Sequence, residues 1–110
     1  MPNARVIEIS QSGGPEVLVP ALRPIPTPAP GELVLKVQAA GINRPDVLQR
    51  RGLYAPPPGA SDLPGLEAAG TVYDVGAGVP PALIGQRLTA LCPGGGYAAY
   101  VAVPWRHALP

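Results

Sequence analysis

Residues 32–54 read ELVLKVQAAGINRPDVLQRRGLY, and two periodicities meet inside them. From Glu32 to Gly41 the apolar residues alternate. Leu33, Leu35 and Val37 fall on one face and Val34, Lys36 and Gln38 on the other, the two-residue repeat of a strand. At Asn43 the pattern changes. Asn43 is an apt N-cap. Pro45 is tolerated in a first helical turn, where its missing N–H has no intrahelical partner. Asp46 complements the positive end of a helix dipole, Arg50 and Arg51 suit the negative end, and Gly52 stops the helix. A strand over residues 32–41 and one short helix over Arg44–Arg51 are predicted.

Working outward, strands are predicted at 4–10 (ARVIEIS), 17–22 (VLVPAL), 66–76 (LEAAGTVYDVG), 87–92 (RLTALC) and 97–104 (YAAYVAVP). Pro20 demotes the second of these to a sheet edge, and Gly70 reads as a kink within its strand. The run RPIPTPAPGE (23–32) alternates proline with other residues and lacks donors for a helix or a central strand. It reads as an extended connector ending in a Pro-Gly turn. Six short strands, Gly/Pro turns and one helix, without repeats, favour a β-barrel or sandwich.

Composition sets limits on function. The chain has 110 residues, 14 of them glycine and 17 proline, a share that would suggest disorder on its own. Against it stand 46% hydrophobic and 14% charged residues, the opposite of a disordered composition. A net charge of +1, with no basic run longer than Arg50-Arg51, argues against nucleic acid or an anionic membrane as partner. Cys92 is the single cysteine, so an internal disulfide and a multi-cysteine zinc site are excluded. The start MPNARVIEIS carries Glu8 inside its apolar stretch and does not read as a signal peptide. No apolar run reaches the roughly 18 residues of a membrane span. A cytoplasmic protein is expected.

Few groups are candidates for chemistry. GAGVPP (76–81) and GGG (94–96) are not followed by a helix pattern, so they read as turns and not as a dinucleotide fingerprint. Cys92 reads as a small buried apolar residue, and His107 as a surface or packing residue. No GxSxG occurs. Glu67 lies in the apolar run LPGLEAAGTV, where a carboxylate needs a partner. It is either half of a structural ion pair with Arg44, Arg50 or Arg87, or part of an active-site floor. Tyr97 and Tyr100 alternate along a strand and read as packing residues.

The segments AAGINRPDVLQRRGLYAPPPGAS, LPGLEAAGTVYDVGAGV, GQRLTAL and GGGYAAYVAVP together resemble the quinone oxidoreductase branch of the medium-chain dehydrogenase/reductase superfamily. The resemblance covers nearly the whole chain. It implies a mainly β fold: a GroES-like, distorted and partly open β-barrel with one short helix. Residues 1–110 would then be the N-terminal catalytic domain of a longer, two-domain enzyme. In that family a Rossmann domain follows, binds NADPH and closes the active-site cleft, and the full-length enzyme is expected to be a homodimer. An isolated front domain is expected to lack meaningful turnover and to expose an apolar face where the Rossmann partner would sit.

The same resemblance implies the chemistry, hydride transfer from NADPH to a quinone. In zinc-dependent members the position of Asn43 is a cysteine ligand, and that of Leu66 is a histidine; neither residue present here can ligate, so no zinc is expected. Asn43 is implied to face the nicotinamide, as a catalytic and cofactor-binding residue. Tyr54 is implied to stand beside the substrate as the other catalytic residue, with Asp46 and Glu67 in support. Asn43 as a helix cap alone and Tyr54 as a loop packing residue remain open. So do two other functions: a non-catalytic, stand-alone GroES-like binding or assembly module, and a zinc-independent enoyl or alkenal reductase.

Overall fold

The structure is a computed structural model that describes residues 3–110. Strands β1 (Asn3–Ile9) and β2 (Leu18–Pro24) pair antiparallel, with Asn3 opposite Pro24 and Ile9 opposite Leu18. Pro20 and Pro24 both lie on β2, in a two-stranded sheet where a missing donor interrupts no inner ladder. A five-stranded antiparallel sheet follows, in the order β6-β3-β4-β5-β7. Its members are β3 (Glu32–Ala40), β4 (Glu67–Val75), β5 (Arg87–Leu91), β6 (Tyr100–Pro104) and β7 (Ala108–Leu109). The sheet curls into a half-barrel, the partly open barrel that the resemblance implies.

Two register irregularities go with that curl. Between β3 and β4 the pairing slips between Val34 and Leu35 and again between Val37 and Ala39. Extra residues in a ladder bend it and increase its twist. The kink expected at Gly70 is therefore a bulge on the facing strand. Gly70 serves it by lacking a side chain, because a Cβ there would meet the Lys36 carbonyl.

The segment 97–99, predicted to be the start of a strand, links the two sheets. Ile7 N–H donates to Tyr97 O at 2.8 Å, Ala99 N–H to Arg5 O at 2.8 Å, and Val37 N–H to Ala99 O at 2.7 Å. The seventh strand, β7, was not predicted. It holds two residues, opposite Thr89 and Ala90.

Leu33, Leu35, Val72, Leu88, Ala90, Val101 and Val103 form the core. They come from alternate positions of the strands, so one face of the curled sheet is apolar. Val34, on the opposite face from Leu33 and Leu35, is fully buried as well. Its neighbours Lys36 and Gln38 are exposed.

Helix α1 (Arg44–Arg50) is one residue shorter than predicted. Leu53 N–H bonds to Leu48 O at 2.8 Å and Gly52 N–H to Gln49 O at 3.0 Å, the paired closure of a Schellman end.

Candidate functional site

Asn43 occupies the N-cap of α1, with extended backbone and a capping-box relation to Asp46. Three bonds define the arrangement. Asp46 Oδ2 accepts the Asn43 N–H at 2.9 Å. Asp46 N–H bonds to the Asn43 main-chain oxygen at 3.0 Å. The Asn43 carboxamide reaches away from the helix, and its Nδ2 donates to Glu67 Oε1 at 3.1 Å.

Asp46 is the anchor. It is buried, at 5% exposure, and collects two further donors. Gly65 N–H reaches Oδ1 at 3.1 Å, and the Tyr97 hydroxyl reaches Oδ2 at 2.9 Å. These donors come from three parts of the chain: the helix cap, the loop before β4 and the segment before β6. Gly65, at φ 107°, lies against Gly96, and a Cβ on Gly65 would meet the backbone of Gly96 and Tyr97. Burial, together with the bond to the Asp46 carboxylate, pushes the Tyr97 phenol up to about 12. It therefore stays a donor across the physiological range. Tyr97, expected to be a packing residue, is thus a member of the network. Its partner lies 51 residues away in sequence, and no local pattern announces the pairing. Tyr100 does pack, edge-on to Tyr73 with ring centroids 4.8 Å apart.

Glu67 corrects one expectation. It forms no ion pair with Arg44, Arg50 or Arg87; the ion pairs among the described residues join Arg23 to Glu8 and to Asp62. Although Glu67 stands in an apolar run, it opens β4 on the exposed side of the alternation, next to buried Ala68. Solvent and Asn43 satisfy the carboxylate there, so no cation is required.

Beside Glu67 lies an open hollow of roughly 480 Å³. Small residues, among them Ala39, Ala40, Gly41 and Ala69, form much of its wall, and Leu91, Leu109 and His107 also border it. Leu91 is directly opposite Glu67 in the ladder. Large apolar side chains stand uncovered around this end of the sheet: Ile42 is 81% exposed, Leu91 67% and Leu109 66%. A second hollow of roughly 300 Å³ is bordered by Arg23, Ser61, Gly95 and Tyr100 and contains none of the candidate residues. The Arg23 guanidinium is already committed to Glu8 and Asp62.

The remaining candidates are simply placed. Tyr54 is half-buried in the loop after α1 and takes no part in the Asp46 network. Cys92 is buried, as expected. Desolvation, and then the negative charge of Glu67, raises its thiol to about 11, so at neutral pH it is neither thiolate nor nucleophile. His107 is exposed. Among the described residues no three His, Cys, Asp or Glu side chains converge as a metal centre requires.

Residues 29–110 match the alcohol dehydrogenase GroES-like domain. The chain belongs to that family. This GroES-like domain is 41% identical, over 100 residues, to a probable quinone oxidoreductase of Schizosaccharomyces pombe, a match that covers 90% of the chain and 30% of the relative. Among solved structures it resembles the human synaptic vesicle membrane protein VAT-1 homolog-like protein, with TM-score 0.88 and 30% identity over 98% of the chain and 35% of that protein. It also resembles a mycobacterial protein complexed with NADPH, with TM-score 0.80 and 32% identity over 97% of the chain and 32% of that protein. The GroES-like domain thus spans about a third of the length of these relatives.

Proposed function

We propose that the chain is the N-terminal catalytic domain of a zinc-independent NADPH:quinone oxidoreductase, in which a Rossmann domain beyond this chain binds most of the cofactor. The observation that carries this reading is the polar pair Asn43–Glu67 at the edge of an open hollow with small-residue walls. A flat, carboxamide-bearing nicotinamide ring fits such a wall, and Asn43 and Glu67 supply polar groups beside it. The exposed Ile42, Leu91 and Leu109 suit a partner domain that covers this end of the sheet. A zinc ion does not fit the donors present, since the carboxamide of Asn43 and the alkyl chain of Leu66 stand at the two positions where the zinc enzymes carry ligands.

NADPH, when bound, supplies the hydride. The residues of this chain bind, orient and exclude water. Asn43 contacts the nicotinamide end, and its place is set by Asp46. Tyr54 is proposed to face the quinone, stacking its ring on the substrate and directing its hydroxyl to a quinone oxygen. Reduction of a quinone yields a phenolate-like anion with a pKa of about 10 by analogy with tyrosine. Its charge is delocalised, so positioning and hydrogen-bond donors suffice in place of a Lewis acid.

The test is turnover by the full-length protein, with NADPH and either a quinone or an α,β-unsaturated ketone. Quinone reduction is expected to dominate, and the 110-residue chain alone is expected to be inactive. A preference for the enone would replace this reading with an alkenal or enoyl reductase. Turnover by the isolated chain would refute the need for a second domain.

A further inference from the structure

The hollow beside β4 is bordered by one carboxylate among the described residues, Glu67, and that carboxylate has an uncommon placement. It is exposed, it has no cationic partner, and one of its two oxygens is held by a neutral donor, Asn43 Nδ2 at 3.1 Å. It also lies directly over Gly41, where a Cβ would collide with the carboxylate group itself. The glycine makes room for the acid, and the carboxamide fixes it. Asn43 cannot neutralise it, because a carboxamide carries no charge. A full negative charge is therefore fixed at the wall of an open, small-walled hollow.

We propose that Glu67 is the ligand-facing group of this hollow, and that its carboxylate selects a cationic aromatic ring over a neutral one of the same shape. The proposal rests on the reading of the hollow as a nicotinamide site and extends it. When bound, NADPH would give its hydride to the quinone, and its neutral dihydronicotinamide ring would thereby become a pyridinium cation. A fixed carboxylate beside that ring favours the charge as it develops, the way preorganised groups act on charge that appears during reaction. Asn43 then has a second duty: it fixes the exposed carboxylate at the rim of the hollow, where the ring would lie.

Two probes of nearly equal shape test this on the chain as it stands: 1-methylnicotinamide, a cation, and nicotinamide, which is neutral. NMR titration reports binding through the backbone amides of Ala39, Gly41, Ala69 and Leu91. The cation is expected to bind more tightly by about five-fold, the Coulomb attraction of unit charges a few Å apart in water, and less so at high salt. In Glu67→Gln the carboxamide oxygen still accepts from Asn43, so the fold is kept, and the preference should vanish. Gly41→Ala keeps the charge but displaces it. The clash is with the end of a flexible side chain, so the domain should remain folded with a reduced preference. If both probes bind equally, or if Glu67→Gln retains the preference, the role of Glu67 is overturned while the nicotinamide site stands. If neither probe shifts these amides, the nicotinamide reading of the hollow falls, and the proposal with it.

Discussion

Two aspartates, Asp46 and Asp62, each gather hydrogen bonds from distant parts of the chain, and burial separates them. Asp46 is 5% exposed and takes bonds from Asn43, Gly65 and Tyr97. The Asp62 side chain is 74% exposed and forms a two-pronged pair with Arg23, at 2.7 and 3.0 Å. On paper the second is the stronger interaction, because both partners are charged. In water it is worth little, since solvent and salt compete for each partner. Asp46 itself is buried, so without it the Gly65 N–H would stay desolvated and the part-buried Asn43 N–H and Tyr97 hydroxyl would lose a charged acceptor. The cluster that fixes the helix cap beside the hollow is therefore the one with most at stake.

The largest expected effect follows from that contrast. Asp46→Ala strands three donors and should cost about 3 kcal/mol in urea unfolding. A loss below about 1 kcal/mol would break the distinction between the two clusters.

Tyr97→Phe removes one donor and leaves the others, so about 1 kcal/mol is expected. The pH dependence has a definite sign. The folded-state value of Tyr97 is raised to about 12 from 10.0. Its contribution is complete below the unfolded value and is lost as pH rises through the folded one. The slope of Tm between pH 10 and 12 should flatten in Tyr97→Phe.

Asp62→Asn should cost less than about 1 kcal/mol, and the cost should shrink further in molar salt. Hydrogen bonding to Arg23 holds the Asp62 carboxyl below its ordinary value of 3.8. That contribution is present above the ordinary value and fades as pH falls through the lower, folded one.

The same contrast explains what could be read from the sequence. Both ends of α1 were legible because caps act within a few residues: Asn43, Pro45 and Asp46 at one end, Gly52 at the other. The alternation of Leu33, Leu35 and Val37 gave the core face of β3 directly. Strand β7 was hidden because two residues hold no period, and its identity comes from pairing with Thr89 and Ala90. The bulge near Gln38 was assigned to Gly70 because a glycine marks a close approach without saying which strand bends. Glu67 and Asn43 were both singled out, yet their bond spans 24 residues, and only the β3–β4 register brings the two together. Tyr97 escaped for the same reason, and its alternation with Tyr100 pointed to packing instead.

Asn43 offers the smallest effect on stability and the sharpest test. Its side chain bonds to Glu67 and gives the helix little direct capping, so Asn43→Ala should cost only about 0.5 kcal/mol, the low end for an N-cap. The most direct measurement compares that loss with kcat/KM for NADPH-dependent quinone reduction in the full-length protein. The account predicts a fall of about ten-fold or more with the unfolding midpoint nearly unchanged. A loss of stability with the turnover of the folded enzyme intact would show Asn43 to be a cap and nothing more.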